Sequence, residues 1–452
     1  MKPGPVLFIT ALLWLLTGMA AFFSNSIFFM WIAAGLGMLP FIAVDFFALI
    51  LTNRLTVERS VPSVLALGEK TSVTLTLRRA PKGVFLPVRA SLFDIYPDSM
   101  AVSAFPVAIR QLPGKNGGVL FTYTILPLER GNWEFPEVQL LFRSFLGCWR
   151  FKVHHPCISR GRTFPNFKNL AKNAGDLRSI LEQTGQKNIR KRGQGMEFMS
   201  LREYQRGDSV KAIDWRATGR RRKVIVREYQ EEQDQQILLL LDSGYRLHRQ
   251  EEVPIRGGVL GDEKIIHRTQ FDSALEAALV LSWAALKYGD GVALACFGAE
   301  ERWLPPRKGI RTLSSLMQNL YDVKSAPAPS SLFSALESAL ERLKRRTFII
   351  MISNFREEDG ESLSWIIRHI QDRHLLLLVS LRELETESIA RRIPSNEEEA
   401  LETAAAFAYL EARRKLYTAW EHSGLLTLEC FSTELNSTLI RYYLKVKRSG
   451  LL

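Results

Sequence analysis

Two long apolar runs near the N-terminus constrain the fold more than any other feature of this sequence. Residues 6–23 contain no charged side chain, and residues 27–51 contain only Asp45. A helix of about 18 residues is roughly 27 Å long, close to the hydrocarbon thickness of a bilayer. The polar residues Ser24, Asn25 and Ser26 between the runs predict a turn. We therefore expect a two-helix transmembrane hairpin over residues 1–54.

Positive charges flank the expected hairpin on one side only. Lys2 precedes the first run, Arg54 and Arg59 follow the second, and the connecting turn has none. Because Lys and Arg remain on the cytoplasmic side, the sequence predicts a multi-pass protein of the cell (inner) membrane whose termini and soluble domains are cytoplasmic. The four cysteines form no CxxC pair, which argues against a disulfide scaffold or a zinc ribbon and agrees with a reducing compartment.

Asp45 is an ionisable residue inside the second apolar run, and two interpretations remain open. A carboxylate within a membrane span is a functional candidate by default. Asp45 also lies only two to three turns before the cytosolic end, where its side chain could reach Arg54 or a water-filled dent. Pro40 predicts a kink or tilt in the same helix.

Residues 55–158 carry the pattern of an antiparallel β domain. Polar and apolar residues alternate over 72–78, which is typical of a half-buried strand, and 119–125 and 138–143 are similar. Turn residues such as Gly117 and Gly118 separate these stretches. We predict a β-sandwich-like domain.

Residues 235–452 alternate between buried strands and helices. Residues 237–241 and 348–352 are continuous apolar runs, as central parallel strands require, and the helical patterns include 271–287 and 397–422. This order predicts a doubly wound, Rossmann-like parallel sheet, so the whole chain has a multidomain α+β organisation.

Ligands of such sheets bind at the carboxyl ends of the strands, which directs attention to three loops. These are residues 242–246, 327–331 and 353–356. The sequence contains no GxxxxGK[ST], HExxH or GxSxG motif and no GxGxxG after a strand, so we expect neither a cofactor nor a common catalytic chemistry.

A dense pattern of charged and aromatic residues fills residues 195–232, within the predicted linker 159–234. It resembles the signature of the "domain of unknown function 58" family, with Lys211 where Arg is usual. The matching positions are Glu197, Phe198, Arg202, Glu203, Tyr204, Gly207, Asp208, Asp214, Trp215, Thr218, Arg220, Arg227, Glu228 and Tyr229. In that family the signature precedes a von Willebrand factor A-like domain, so the resemblance implies this fold for residues 235–452.

The same linker is strongly basic. Residues 187–232 contain 13 Lys or Arg and 7 Asp or Glu, a net +6 of the chain's +13. Ion pairs stacked beside Tyr204, Trp215 and Tyr229 would clamp the β domain to the α/β domain. Alternatively, the segment is a docking surface for another protein, or its residues 220–223 contact phosphate.

The family resemblance also implies a metal-ion-dependent adhesion site, written Asp-x-Ser-x-Ser, from which this sequence departs. Asp242 matches the carboxylate, but Gly244 and Arg246 occupy the two Ser positions. Ser330 stands for the Thr of the second loop, and Asn354 occupies the Asp position of the third. We predict that this degenerate site holds no metal and that Arg246 pairs with Asp242.

These observations favour a non-catalytic, membrane-anchored protein-interaction or adaptor protein, inserted through residues 6–51. The resemblance implies a MoxR-type AAA+ ATPase as partner in the assembly or activation of other proteins. We expect recognition through the loops around Asp242, Ser330 and Asn354 and through the insertion 249–270.

Two other classes of function remain open. A hydrolase could use Asp208 or Asp214 with His248 or His267, and activity in a fragment lacking the apolar runs would favour it. Nucleic-acid binding through residues 187–232 would weaken steeply with salt. The acids within that segment and the membrane anchor argue against nucleic acid.

Overall fold

The computed structural model divides into two compact units, Met1–Asn166 with Val253–Ile266 and Phe167–Glu252 with His267–Leu452. The residues that it describes are 2–21, 25–51, 55–79, 89–103, 105, 107–109, 118–165, 192–205, 213–230, 235–255, 264–360, 363, 370, 373–449 and 451.

Two apolar helices lie near the N-terminus, α1 (Pro5–Ala21) and α2 (Asn25–Leu51). The indole rings of Trp14 and Trp31 stack between them with centroids 4.1 Å apart, and each indole nitrogen donates to the other tryptophan's carbonyl oxygen. Gly18 and Gly35 make room for the rings, since a Cβ at either glycine would lie within 2.8 Å of an indole atom. Residues Phe28–Ala48 form one helix long and apolar enough to cross a membrane, whereas Pro5–Met19 is apolar but shorter.

The β region contains two sheets that enclose one hydrophobic core. Its strands are β1 (Lys2–Pro3), β2 (Leu55–Ser60), β3 (Val64–Ala66), β4 (Thr71–Arg79), β5 (Arg89–Asp94), β6 (Met100–Val102), β7 (Val107–Ile109), β8 (Gly118–Pro127), β9 (Gly131–Arg143) and β10 (Trp149–Phe164). One sheet has the order β1-β10-β9-β5-β7 with β3 beside β10, and the other has the order β2-β4-β8-β6. The alternation predicted in β4 is confirmed, because Val73, Leu75 and Leu77 are fully buried in the shared core. Inside this core Arg59 forms an ion pair with Asp94.

The remaining elements belong mainly to the second unit. Its strands are β11 (Arg192–Glu203), β12 (Ile225–Gln230), β13 (Gln236–Asp242), β14 (Gln250–Ile255), β15 (Lys264–Thr269), β16 (Gly291–Phe297), β17 (Arg302–Arg307), β18 (Thr347–Ser353), β19 (Leu375–Leu381) and β20 (Leu426–Cys430). Its helices are α3 (Trp215–Arg221), α4 (Gln270–Lys287), α5 (Arg311–Leu320), α6 (Leu332–Arg342), α7 (Leu384–Arg391), α8 (Glu397–His422) and α9 (Leu435–Ser449).

A six-stranded sheet with the order β17-β16-β13-β18-β19-β20 forms the centre of this unit. All neighbours in it are parallel except β17, which runs antiparallel to β16. In β13, Leu239 and Leu241 face the layer of α4, α5 and α9, and Leu238 and Leu240 face the layer of α6 and α8. Both faces of the strand are therefore buried, which explains its continuous apolar sequence.

Several elements differ from the sequence-based expectation. Helix α7 and the edge strand β17 were not expected, and the insertion 249–270 contains the paired strands β14 and β15. The sequence also predicts a short helix near residues 169–183 of the linker, which lie outside the described residues.

Candidate functional site at the carboxyl edge of the parallel sheet

Asp242 ends β13 at the carboxyl edge of the central sheet and is fully buried. Its Oδ1 accepts from the backbone N–H of Gly244 at 2.9 Å. Its Oδ2 accepts from Ser353 Oγ at 2.6 Å and from Ser330 Oγ at 3.0 Å. Burial raises the pKa of Asp242, although the hydrogen bonds and the charge of Arg246 act in the opposite direction. The carboxyl group is therefore held by neutral donors.

Gly244 allows the first loop to approach the second very closely. A Cβ at this position would lie 2.8 Å from the carbonyl oxygen of Ala328 and 2.9 Å from Cβ of Ser330. The next residue, Tyr245, donates its N–H to the same Ala328 oxygen at 2.9 Å. A side chain at position 244, such as the serine of the adhesion motif, would not fit without moving the second loop.

The prediction that Arg246 pairs with Asp242 is wrong. Arg246 lies in a short 3₁₀ turn, and its two terminal nitrogens donate to the carboxylate oxygens of Asp359 at 2.7 and 2.8 Å. The first of these nitrogens also donates to the carbonyl oxygen of Asn354 at 3.0 Å. The turn directs the guanidinium across the carboxyl edge of the sheet to the loop after β18. The acid paired with Arg246 therefore comes from a distant part of the sequence, 113 residues further along the chain.

Asn354 is buried and belongs to a separate polar chain. Its Nδ2 donates to Glu383 at 2.6 Å, and its Oδ1 accepts from the buried guanidinium of Arg413 at 3.1 Å. Arg413 also donates to Ser380 at 2.7 Å and to Glu429 at 2.9 Å. The side chain of Asn354 is therefore fully engaged away from Asp242.

Three groups complete this edge without having been assigned a role from the sequence: the hydroxyl of Ser353, the carboxylate of Asp359 and the guanidinium of Arg413. Ser353 belongs to the loop 353–356 that the sequence singles out, but only Asn354 was named in it as a site residue. No local pattern marks Asp359 or Arg413 as partners of the edge.

The oxygen atoms of and around the Asp242 side chain do not match the ligand set of an adhesion-type metal site. They comprise one carboxylate and the hydroxyls of Ser330 and Ser353, whereas Mg²⁺ in proteins favours an octahedral set with more than one hard, often charged, oxygen. Among the described residues, no group of three His, Cys, Asp or Glu side chains could hold a metal ion.

The signature segment forms a β-hairpin-like pair with a short helix between its strands. β11 pairs antiparallel with β12, and α3 lies between them in sequence. Asp214 caps α3 by accepting from the N–H groups of Arg216 and Ala217, and Thr218 Oγ1 accepts from the N–H of Ile225 at 3.0 Å. Two signature residues thus have local structural roles.

The packed stack expected around Trp215 is not observed, because this side chain is 69% exposed. Glu203 and Lys223 form an ion pair at the surface. Tyr204 and Arg220 are also exposed. The backbones of Glu197, Phe198, Arg202, Arg227, Glu228 and Tyr229 lie in β11 and β12, whereas Gly207 and Asp208 lie outside the described residues.

Two of the residues predicted for hydrolysis have described contacts. His248 Nδ1 lies 3.2 Å from Ser325 Oγ. Asp214 accepts from the N–H groups of Arg216 and Ala217 at the N-terminus of α3. Asp208 lies outside the described residues, and the hydrolase alternative stays a prediction.

A groove of about 430 Å³ lies between α7 and α8, beside the polar chain of Asn354. Acidic and basic side chains line it, including Glu383, Arg413 and Glu429, together with the aromatic ring of Phe407. The helices that form it extend beyond the core, since the first 16 residues of α8 include no buried side chain.

These features define a mixed α and β protein with several sheets and one apolar helix long enough to cross a membrane. Residues 200–395 match the family "Protein of unknown function DUF58". The family predicted from the signature is therefore confirmed over this stretch. The chain is also 22% identical over 256 residues to "Uncharacterized protein YeaD" of Bacillus subtilis (strain 168). That match covers 56% of this chain and 58% of the relative's length.

Solved structures give only weak similarity, with 12% identity in each case. The conserved hypothetical protein BatB from Bacteroides thetaiotaomicron covers 47% of this chain and 99% of its own, with a TM-score of 0.28. An uncharacterized membrane spanning protein from Vibrio fischeri covers 48% and 99%, with a TM-score of 0.17. A cohesin module from a Clostridium perfringens family 33 glycoside hydrolase covers 25% and 96%, with a TM-score of 0.14. These scores are too low to support a functional comparison.

Proposed function

We propose that this chain is a non-catalytic, membrane-anchored protein-interaction protein that works with a MoxR-type AAA+ ATPase in the assembly or activation of other proteins. One observation carries the proposal: the polar groups at the carboxyl edge of the sheet bind one another. Asp242 is held by two hydroxyls, and Arg246 is held by Asp359. Open α/β sheets normally bind small ligands at this edge. Here recognition would use an outer surface.

The proposed anchor is a two-helix hairpin with both ends in the cytoplasm of a multi-pass protein of the cell membrane. α1 has 17 residues, which corresponds to about 26 Å of helix, and the Trp14–Trp31 stack supports its packing against α2. The positive charges of Lys2, Arg54 and Arg59 support this orientation.

The proposed fold of residues 235–452 is a von Willebrand factor A-like domain that has lost its metal site. The parallel sheet with helices on both faces supports the fold. The small space at Gly244 and the Arg246–Asp359 pair support the loss of the metal.

The proposed docking surface is the acidic arm, which we define as residues 383–412 and which comprises α7 and the first part of α8. The sequence predicts recognition through the loops around Asp242, Ser330 and Asn354 and through the insertion 249–270. The side chains of Asp242 and Asn354 are buried, so we place the main contact on the arm instead. The arm contains eight Glu and two Arg in a chain of net charge +13. Arg249 and Arg382 neutralise part of this charge.

Large apolar side chains lie exposed on the same arm. Ile393 is 89% exposed, Leu401 75% and Phe407 63%. Exposed apolar groups surrounded by like charge are typical of protein-binding surfaces. The arm therefore fits a partner surface with basic residues around an apolar pocket.

The test measures binding of the purified ATPase to the full chain in lipid nanodiscs. We expect Leu401→Ser with Phe407→Ser to weaken binding about tenfold or more, as loss of apolar anchors does. Glu398→Lys with Glu402→Lys should weaken it further at low salt. The matched control is Glu337→Lys on α6, which is also exposed and lies outside the arm. Absence of binding by the unaltered chain, or equal binding by the arm variants, would contradict the proposal.

A further inference from the structure

The turn between β9 and β10, residues 144–148, lies directly against the C-terminal part of α2. The N–H of Leu146 donates to Asp45 Oδ1 at 3.0 Å. The indole nitrogen of Trp149 donates to the carbonyl oxygen of Ile42 at 3.2 Å, and its ring lies edge-on to Phe46 at 5.3 Å. The turn is thus attached to the apolar helix at the level of residues 42–46.

Asp45 has a structural explanation in these contacts. It is 3% exposed, and the turn supplies a donor to one oxygen of its buried side chain, Oδ1, whereas Oδ2 has no hydrogen-bond partner among the described residues. The Arg54 expected to reach it lies outside the described residues. The thiol of Cys148, on the same turn, lies beside Asp45, and burial together with that negative charge raises the pKa of Cys148.

The tip of this turn is apolar and exposed. Phe145 is 72% exposed and Leu146 is 45% exposed. Their position beside residues 42–46 puts them at the same height as the last two turns of the Phe28–Ala48 stretch. An aromatic side chain at such a height is typical of the membrane–water interface.

Basic residues border the turn in a single row across four strands. Lys2 of β1 is opposite Arg150 of β10, Arg150 is opposite Arg143 of β9, and Arg143 is opposite Arg89 of β5. Like charges directly opposite one another destabilise a sheet unless something compensates them. Among the described residues, no carboxylate forms an ion pair with Lys2, Arg143 or Arg150, and the buried Nε of Arg150 has no acceptor.

We propose that residues 144–148 enter the bilayer interface and that Arg143, Arg150 and Lys2 bind the phosphates of anionic lipid headgroups. This inference rests on the proposed membrane anchor. A lipid explains both the basic row and the apolar tip. Its headgroup supplies the anion for the basic residues, and its acyl region receives Phe145 and Leu146. Free phosphate would leave the apolar tip in water.

The first test measures the thermal unfolding midpoint of the full chain in phosphatidylcholine nanodiscs with and without phosphatidylglycerol. We expect phosphatidylglycerol to raise the midpoint and Arg143→Gln with Arg150→Gln to remove most of that rise. The matched control is Arg160→Gln, at the far end of β10 and paired with Glu134 at the surface, which should keep the full rise. An unchanged rise in the double variant, or an equal rise on adding inorganic phosphate to phosphatidylcholine nanodiscs, would overturn the proposal.

The second test measures depth with a nitroxide spin label in a chain whose four cysteines are replaced by alanine. A label at Phe145→Cys should be accessible to oxygen and shielded from a water-soluble nickel chelate, whereas a label at Ile158→Cys, exposed on β10 away from the turn, should be open to nickel. A label at Leu39→Cys on α2 tests the anchor itself. Nickel access at Phe145 with shielding at Leu39 would overturn this inference alone, and nickel access at both would overturn the anchor as well.

Discussion

The two edges of the parallel sheet each bury one aspartate but treat it differently. At the amino edge, Asp290 precedes β16 and accepts from Lys447 Nζ at 2.6 and 2.7 Å and from the hydroxyl of Tyr443. At the carboxyl edge, the described residues that donate to Asp242 are all neutral, and Arg246 binds Asp359 instead. Both aspartates are fully buried, and burial raises the pKa of each.

The two edges therefore hold a buried carboxyl group in different ways. The Asp290 contact holds α9 to the sheet, and a direct ammonium partner is sufficient for that role. At the carboxyl edge, hydroxyls hold Asp242, while the guanidiniums of Arg246 and Arg413 bind other acids of the chain. We therefore interpret the carboxyl edge as closed, with recognition transferred to the acidic arm.

The largest expected effect concerns the Arg246–Asp359 pair. Asp359→Ala leaves a buried guanidinium without its acid, which costs about 3–5 kcal/mol of unfolding free energy. Denaturant unfolding of the full chain in detergent measures it. The control is Glu134→Ala, which breaks the exposed pair with Arg160 and should change stability by no more than about 0.5 kcal/mol. Equal effects of the two variants would contradict a closed carboxyl edge.

The next effect tests the amino edge. Lys447→Met leaves Asp290 buried without a cation, and we expect a loss of about 3 kcal/mol, at the low end because Lys447 is partly exposed and Tyr443 still donates. Adding Asp290→Asn should recover part of this loss in the same unfolding experiment. No recovery would mean that the lysine acts through packing and not through its charge.

A smaller effect distinguishes the two aspartates by pH. Because the native pKa of Asp242 is raised above its ordinary value of 3.8, the stability that its protonated form contributes is complete below that value and is lost as the pH rises through the native pKa. Asp242→Asn mimics the protonated group. The unfolding free energy of this variant should therefore fall less than that of the unaltered chain as the pH rises from 3.8 through the native pKa. Relative to the unaltered chain, this variant should therefore gain stability as the pH rises towards neutral.

Asp290→Asn serves as the comparison, measured as a difference from the unaltered chain at each pH. The pKa of Asp290 is raised as well, but this variant also leaves the ammonium of Lys447 without its acid, so its gain at neutral pH should be smaller than that of Asp242→Asn or absent. A destabilised Asp242→Asn with an unchanged pH profile would show that Asp242 is ionised and needed in that form.

Much of the fold could be predicted because burial on both faces leaves a continuous apolar sequence. Strands β13 and β18 follow from this signal, and the bounds of α8 follow from the helical pattern over residues 397–422. The partner of Arg246 could not be predicted in the same way. Its proximity in sequence to Asp242 suggested a pair, but a 3₁₀ turn directs it to Asp359, and no local pattern encodes a contact over such a distance.

Magnesium titration of the full chain by calorimetry tests most directly whether the carboxyl edge is closed by the chain's own side chains. The arrangement of Gly244, Arg246 and Asp359 predicts that the unaltered chain and Asp242→Asn give the same heat, equal to that of dilution. A micromolar binding heat that Asp242→Asn abolishes would show that the edge still holds an ion and would contradict the account.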